Sequence, residues 1–186
     1  MKTGTKSLLF GVHQFIWHPI TVYIAWIWIN KSLPNWKETV CIIIHDWGYW
    51  GKDNMDDEEG EKHPEWAANW ARKHLDIHIK NWFYPKQNEY YELCLFHSRH
   101  LARYYNAKPS RLCWPDKLSI IFEPWWLYLP RAWATGELYE YREQAKAFIP
   151  LSASHREWFK WVKNRLATLG IEKRGDVVPY VNKIHD

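Results

Sequence analysis

Six residues in the first two thirds of the chain have metal-binding side chains: His18, the adjacent pair His45 and Asp46, His63, His97 and Asp116. Imidazole and carboxylate suit borderline and hard divalent cations, and each of the six sits at or near the start or end of a helical pattern. They come from five separate segments, so only a bundle converging on one interior point can use them jointly. Four imidazoles and two carboxylates exceed the needs of one tetrahedral ion. The count suits two ions that share a carboxylate, each keeping an open position for water or substrate. Asp46 is the natural bridge, because His45 fixes it beside one ion while both its oxygens remain free. A hydroxide held between two cations is nucleophilic at neutral pH, and the cations would also stabilise charge developing on a phosphoryl group.

The elements that must position these residues read as helices. Pro19 fits the first position of a helix running to about Asn30, and Ser32 to Pro34 make a turn. Asn35 followed by Glu38 resembles a capping box that opens a helix through Val40 to Ile44 and ends at His45-Asp46. Trp47 to Lys62, glycine-bearing and acidic, reads as a loop, a solvated segment or a lid over the site; its acidic run fails the calcium-loop pattern because Met55 falls at the first ligand position. Further helices are expected over Pro64 to Ile79, Asn88 to Tyr105, Ser110 to Leu129 with an irregularity at Pro124, Gly136 to Phe148, and His155 to Leu169 behind a Ser154/Glu157 box. Strand runs are few and short. The expectation is an all-α, compact bundle of about seven helices with the metal site in its core: residues 1–150 as the metal-binding catalytic domain, and 151–186 as a C-terminal helix and tail packed on it.

With 186 residues and 47% hydrophobic side chains, the chain suits a single domain able to bury several ligands. Its net charge of +4 is dispersed, which fits a small phosphate-bearing molecule and calls for no nucleic acid. Cys41, Cys94 and Cys113 form no CxxC and lie in apolar stretches, as buried thiols of a cytoplasmic protein would. The apolar run from Leu8 to Ile29 is interrupted by His13, Gln14 and His18, and reads as a core helix with no membrane span. Most of the 15 Trp and 11 Tyr recur at helical spacing and read as packing residues, with Trp114, Trp125 and Trp126 the best stacking candidates for a base or sugar. His13, His155 and His185 have no ligand context and read as bystanders; His74 and His78, one turn apart, lack a third ligand and read as an exposed face.

Several segments together carry a family resemblance. The run IIIHDWGYWGK resembles the signature of the HD-domain metal-dependent phosphohydrolases, in which an apolar helix ends in adjacent His and Asp. WHPITVYIAW is similar to that family's first histidine and the helix after it, and HPEWAANWA to the segment opening the third metal-bearing helix of its binuclear members. LCLFHSRHLARYY resembles the helix with a further histidine, and CWPDKLSII the closing element with aspartate and lysine. The match spans roughly residues 12 to 145, and the order of five elements is more specific than the HD dipeptide. The resemblance implies ligation by His18, His45, Asp46, His63, His97 and Asp116, with His100, on the same helix face as His97, as the alternative ligand. The chain departs from the family at Pro115, where a small residue is usual, and after the HD pair, where the lysine often found is replaced by Tyr49 or displaced to Lys52.

On the substrate side, Arg99, Arg103 and Lys117 are candidate phosphate-binding groups, with structural ion pairs an equal expectation. Trp114 is a candidate stacking partner, Arg131 and the aromatics around it could line a nucleoside pocket or form a subunit contact, and Lys117 or His100 is a candidate donor to the leaving oxygen. The expected function is hydrolysis of a phosphate ester or anhydride, most plausibly in a nucleotide, with two divalent ions, iron or manganese favoured, and a homo-oligomer as an option through exposed aromatics. The alternatives are a mixed-valent di-iron oxygenase of the same family, which uses the same six residues, and a non-catalytic nucleotide-binding or regulatory protein.

Overall fold

The computed structural model describes residues 2–55, 57–76 and 88–173. Among them it is all helical, with no strand, in more and shorter segments than the seven expected from sequence. In chain order these are α1 (Thr3–Phe10), α2 (Trp17–Asn30), α3 (Trp36–Ile44), α4 (Glu58–Glu61), α5 (Pro64–His74), α6 (Glu89–Leu95), α7 (Arg99–Tyr104), α8 (Cys113–Leu118), α9 (Trp125–Thr135), α10 (Glu137–Gln144) and α11 (His155–Lys173). Two 3₁₀ turns, Trp47–Tyr49 and Ser119–Phe122, join them.

Local chemistry accounts for several boundaries. Asn35 caps α3 in a complete box, its side chain accepting from Lys37 and Glu38 N–H while Glu38 returns to the Asn35 N–H at 2.7 Å. Ser154 and Glu157 make the reciprocal bonds that start α11. Pro64 occupies the first turn of α5, where its missing N–H costs nothing.

The long helices expected over 88–105 and 110–129 are each divided. Ser98 takes an extended conformation and its Oγ accepts from Leu101 N, so α7 starts afresh after the break at Phe96–Ser98. The second breaks twice: α8 tightens into a 3₁₀ turn, and Glu123 and Pro124 are extended before α9, because a residue ahead of proline is driven from the helical region. The segment expected as a loop over 47–62 holds a 3₁₀ turn and α4, and α1 is a helix that sequence patterning missed. The portion of the 64–79 helix beyond Asp76, with His78, lies outside the described residues, as do His185 and the tail from 174.

Two apolar clusters hold the fold. One joins Val22 and Trp26 of α2, Cys41 and Ile42 of α3, Ala67 and Ala71 of α5, and Cys94, Leu101 and Leu112. The other gathers Val12, Tyr128, Ala132, Leu138, Trp158 and Phe159, so that α11 packs on α8 and α9. Each fully buried Ile or Leu here contributes about 1.5–3 kcal/mol. All three cysteines are free and buried. Helix α2 is only half a core helix: Val22, Ala25 and Trp26 are buried, whereas Ile20, Ile24 and Ile27 are exposed. Among the described residues no helix is long and apolar enough to cross a membrane.

Candidate metal centre

Helix termini deliver every candidate ligand. His18 lies in the first turn of α2, His45 and Asp46 at the junction of α3 with the first 3₁₀ turn, His63 immediately before α5, His97 in the α6–α7 bend, and Asp116 in α8. The contact of α2 with α8 brings His18 to Asp116, and that of α5 with α6 brings His63 toward His97.

The six side chains form two groups that share Asp46. In the first, His18, His45, Asp46 and Asp116 present ligand atoms within 4.8 Å of one another; in the second, Asp46, His63 and His97 do so. The sharing is divided by oxygen. Asp46 Oδ2 lies 3.2 Å from His18 Nε2 and 3.3 Å from His45 Nε2, while Oδ1 lies 3.5 Å from both His63 Nε2 and His97 Nε2. Asp116 Oδ1 completes the first group, 3.2 Å from His18 Nε2 and 3.5 Å from His45 Nε2.

Ring orientation is set by the backbone. His45 Nδ1 meets the Ile42 carbonyl at 2.8 Å, His63 Nδ1 the Gly60 carbonyl at 2.8 Å, and His97 Nδ1 the Cys94 carbonyl at 2.5 Å. A carbonyl only accepts, so each Nδ1 carries the proton, and in the neutral ring Nε2 is left as a lone pair facing inward. His63 and His97 therefore direct Nε2 atoms at each other across 3.3 Å. That separation is the edge of a tetrahedron around an ion bound at about 2.0–2.1 Å. Two further atoms, His45 Nε2 and Asp46 Oδ2, are sealed from solvent with no hydrogen-bond partner. Buried orphans of this kind are costly unless something binds them, so the donor set fits a metal.

Electrostatics follow from burial and mutual contact. Burial pushes His18 and His45 down, but the Asp46 and Asp116 carboxylates override it and hold both imidazoles above their ordinary value. Burial would raise Asp46, yet the imidazoles of His45, His13 and His18 hold it well below the carboxylate range. Asp116 is likewise held well below, burial being outweighed by His18, His45 and Lys117. Burial dominates at His63, lowering it to about 3, which keeps the ring neutral and its lone pair free.

The acidic segment serves the site through its backbone. Asp57 Oδ1 accepts from Gly60 N at 2.7 Å, and Gly60 supplies the carbonyl that orients His63. Lys62 and Lys52 pair with Glu58 and Glu59 around it. Gly48 lets the turn after Asp46 lie against His63, since a Cβ there would fall 1.9 Å from the His63 carbonyl oxygen. Tyr49 stacks on the His63 ring at 3.8 Å between centroids.

The other sequence candidates fare unevenly. Lys117 lies with Asp116 at the edge of a cavity of about 370 Å³, its Nζ 3.9 Å from Asp116 Oδ2. His18, Ser119, Tyr128 and Trp158 also line that cavity. His100, Arg99 and Arg103 are exposed on α7; the break at Phe96–Ser98 separates His100 from the face that carries His97. Arg131 is tied down inside the fold by Glu123 at 2.7 Å and by the Leu127 and Gly11 carbonyls. Trp114 is half-buried with Lys173 over its ring, and Trp125 and Trp126 are exposed. His13, read as a bystander, instead lines the cavity beside His18.

Compared with protein-family models, curated proteins and solved structures, the chain finds no match.

Proposed function

We propose that this chain is a metal-dependent phosphohydrolase, holding two divalent ions, iron or manganese, across Asp46 and cleaving a phosphate ester or anhydride, in the first instance of a nucleotide. The observation that carries the reading is the division of Asp46, with Oδ2 toward His18 and His45 and Oδ1 toward His63 and His97. The ordered sequence elements that carry these six residues, and that resemble HD-domain phosphohydrolases, are in keeping with it. Bound ions would supply a hydroxide nucleophile at neutral pH and neutralise charge on the phosphoryl oxygens. The chain's own contribution is to fix the ligands and to shape the approach. The Nδ1–H bonds to backbone carbonyls hold three rings in the ligating tautomer. Lys117, beside Asp116 on the cavity wall, adds a cation where a phosphoryl group would sit.

The test is phosphate release from a panel of nucleotides and simple phosphate esters, with manganese or iron added, for the wild type and Asp46→Ala. Release by the wild type that disappears in the variant supports the proposal. Silence across the panel in protein holding two metals, together with oxygen consumption, would replace it with oxygenase chemistry on the same ligands.

A further inference from the structure

The cavity beside the metal ligands has a polar wall that the six ligands do not explain. His13 lines it next to His18 and Asp116, with its ring centroid 5.4 Å from that of His18. Behind His13 runs a hydrogen-bond chain whose direction is set by chemistry. It ends at Glu137, 1% exposed, which accepts from Ser7 Oγ at 2.5 Å, from Val12 N at 3.2 Å and from the Thr135 hydroxyl. An ionised carboxylate has no proton to give, so the Ser7 hydroxyl spends its hydrogen on Glu137 and accepts from His13 Nδ1, 2.9 Å away. In the neutral form of the ring the hydrogen then stays on Nδ1, and Nε2 is left as an acceptor.

The arrangement is built into the fold. Glycine at position 11 lets the 11–13 turn sit against α1 and Glu137, because a Cβ there would fall 2.7 Å from the Ser7 Cα and 2.2 Å from Glu137 Oε2. The carboxylate arrives from the start of α10, 124 positions after His13, by way of the left-handed turn at Gly136. A buried glutamate, two hydroxyls and a glycine turn thus converge to fix one tautomer of a histidine on the cavity wall. Tyr128, Trp158 and Leu166 add aromatic and apolar surface to the same cavity.

We propose that His13 is a hydroxyl-recognition residue: the cavity takes a phosphate ester whose organic part carries a free hydroxyl, which donates to His13 Nε2 while its apolar face packs on Tyr128 and Trp158. Sugar phosphates and nucleoside monophosphates have this chemistry, and a volume of about 370 Å³ lies in the ordinary range for small-molecule pockets. The inference deepens the phosphohydrolase reading of the metal centre and rests on it.

Two measurements test it. The first compares kcat/KM of the manganese-loaded wild type for paired esters, a ribonucleoside 5′-monophosphate against its 2′,3′-dideoxy counterpart and glycerol phosphate against propyl phosphate. The wild type is expected to favour the hydroxyl-bearing member of at least one pair by about two- to tenfold, the worth of one neutral hydrogen bond. His13→Ala is expected to bring that ratio near one, and Ser7→Ala to reduce it. The second is long-range ¹H–¹⁵N correlation of the His13 ring in the metal-free protein, expected to show hydrogen on Nδ1, and on Nε2 or mixed in Ser7→Ala. A wild type that cleaves both members equally, a ratio unmoved by His13→Ala, or an Nε2–H tautomer overturns the inference while leaving the hydrolase reading intact. A metal-loaded wild type that cleaves no ester removes the hydrolase reading, and the inference falls with it.

Discussion

His63 and His97 face each other through their Nε2 atoms at 3.3 Å, each ring having given its Nδ1–H to a backbone carbonyl. Two inward lone pairs at that distance repel unless a cation lies between them. Metal binding should therefore stabilise the protein. At a free metal concentration a hundred times Kd the gain is about 2.7 kcal/mol, which for a chain of this size is a rise in Tm of about 5–10 °C. Thermal melts with manganese and with chelator check this; coincident melts would contradict it.

The benefit of metal should grow with pH. His18 and His45 are held above their ordinary value in the metal-free fold. Their stabilisation is complete below the unfolded imidazole value of about 6.5 and is lost as pH rises through the folded values. The metal-loaded fold has already shed those protons and escapes the loss. The gap in Tm between loaded and metal-free protein should widen as pH climbs above about 6.5, and titration calorimetry in buffers of different ionisation enthalpy should show proton release on metal binding. A gap that narrows over that range would count against the assignment. At the acid end His63, lowered to about 3, works the other way: the metal-free protein should lose stability as pH falls from about 6.5 toward that value, because the unfolded chain takes up the proton first.

His97 and His100 should separate cleanly. His97 is buried with Nε2 in the second ligand group, whereas His100 is exposed on α7. His97→Ala should lower the metal content by about one ion per chain, two being the expected full load. His100→Ala should leave it unchanged, and elemental analysis of both variants after reconstitution decides the matter.

The convergence of six metal-binding side chains from five segments was legible in the sequence from their residue types and order, and the two caps, Asn35/Glu38 and Ser154/Glu157, announced helix starts. What escaped depends on contacts distant along the chain. His13 looked like a bystander because its partner Glu137 is supplied by α10. Arg131 reads as a substrate-side residue in the sequence because no local pattern reveals that Glu123 and the Gly11 carbonyl claim its guanidinium. The break that divides His97 from His100 depends on Ser98 capping a new helix, a local signal overshadowed by an apolar period that runs across it.

Arg131→Ala should act on stability. It leaves the Glu123 carboxylate, 2% exposed, without its cation, at a cost of about 3–5 kcal/mol. Chemical denaturation measures the loss; a variant of wild-type stability with weakened phosphate binding would restore Arg131 to the substrate side.

Gly48→Ala should strike the metal centre from behind. The new Cβ would meet the His63 carbonyl oxygen at 1.9 Å, so the turn or His63 has to move. Overpacking costs about 1–3 kcal/mol, and the displaced ring should weaken binding in the group of Asp46, His63 and His97 more than in the other. Spectroscopy of a cobalt-substituted protein would show one site changed; two unchanged sites would mean that the contact is absorbed elsewhere.

The most direct measurement is metal stoichiometry in protein reconstituted with manganese or iron under anaerobic conditions, comparing the wild type with Asp46→Ala by elemental analysis and by magnetic coupling between the ions. Two coupled ions per chain are expected in the wild type, with coupling and at least one ion lost in Asp46→Ala. A wild type that binds one ion or none, or a variant that keeps two coupled ions, would contradict a centre bridged by Asp46.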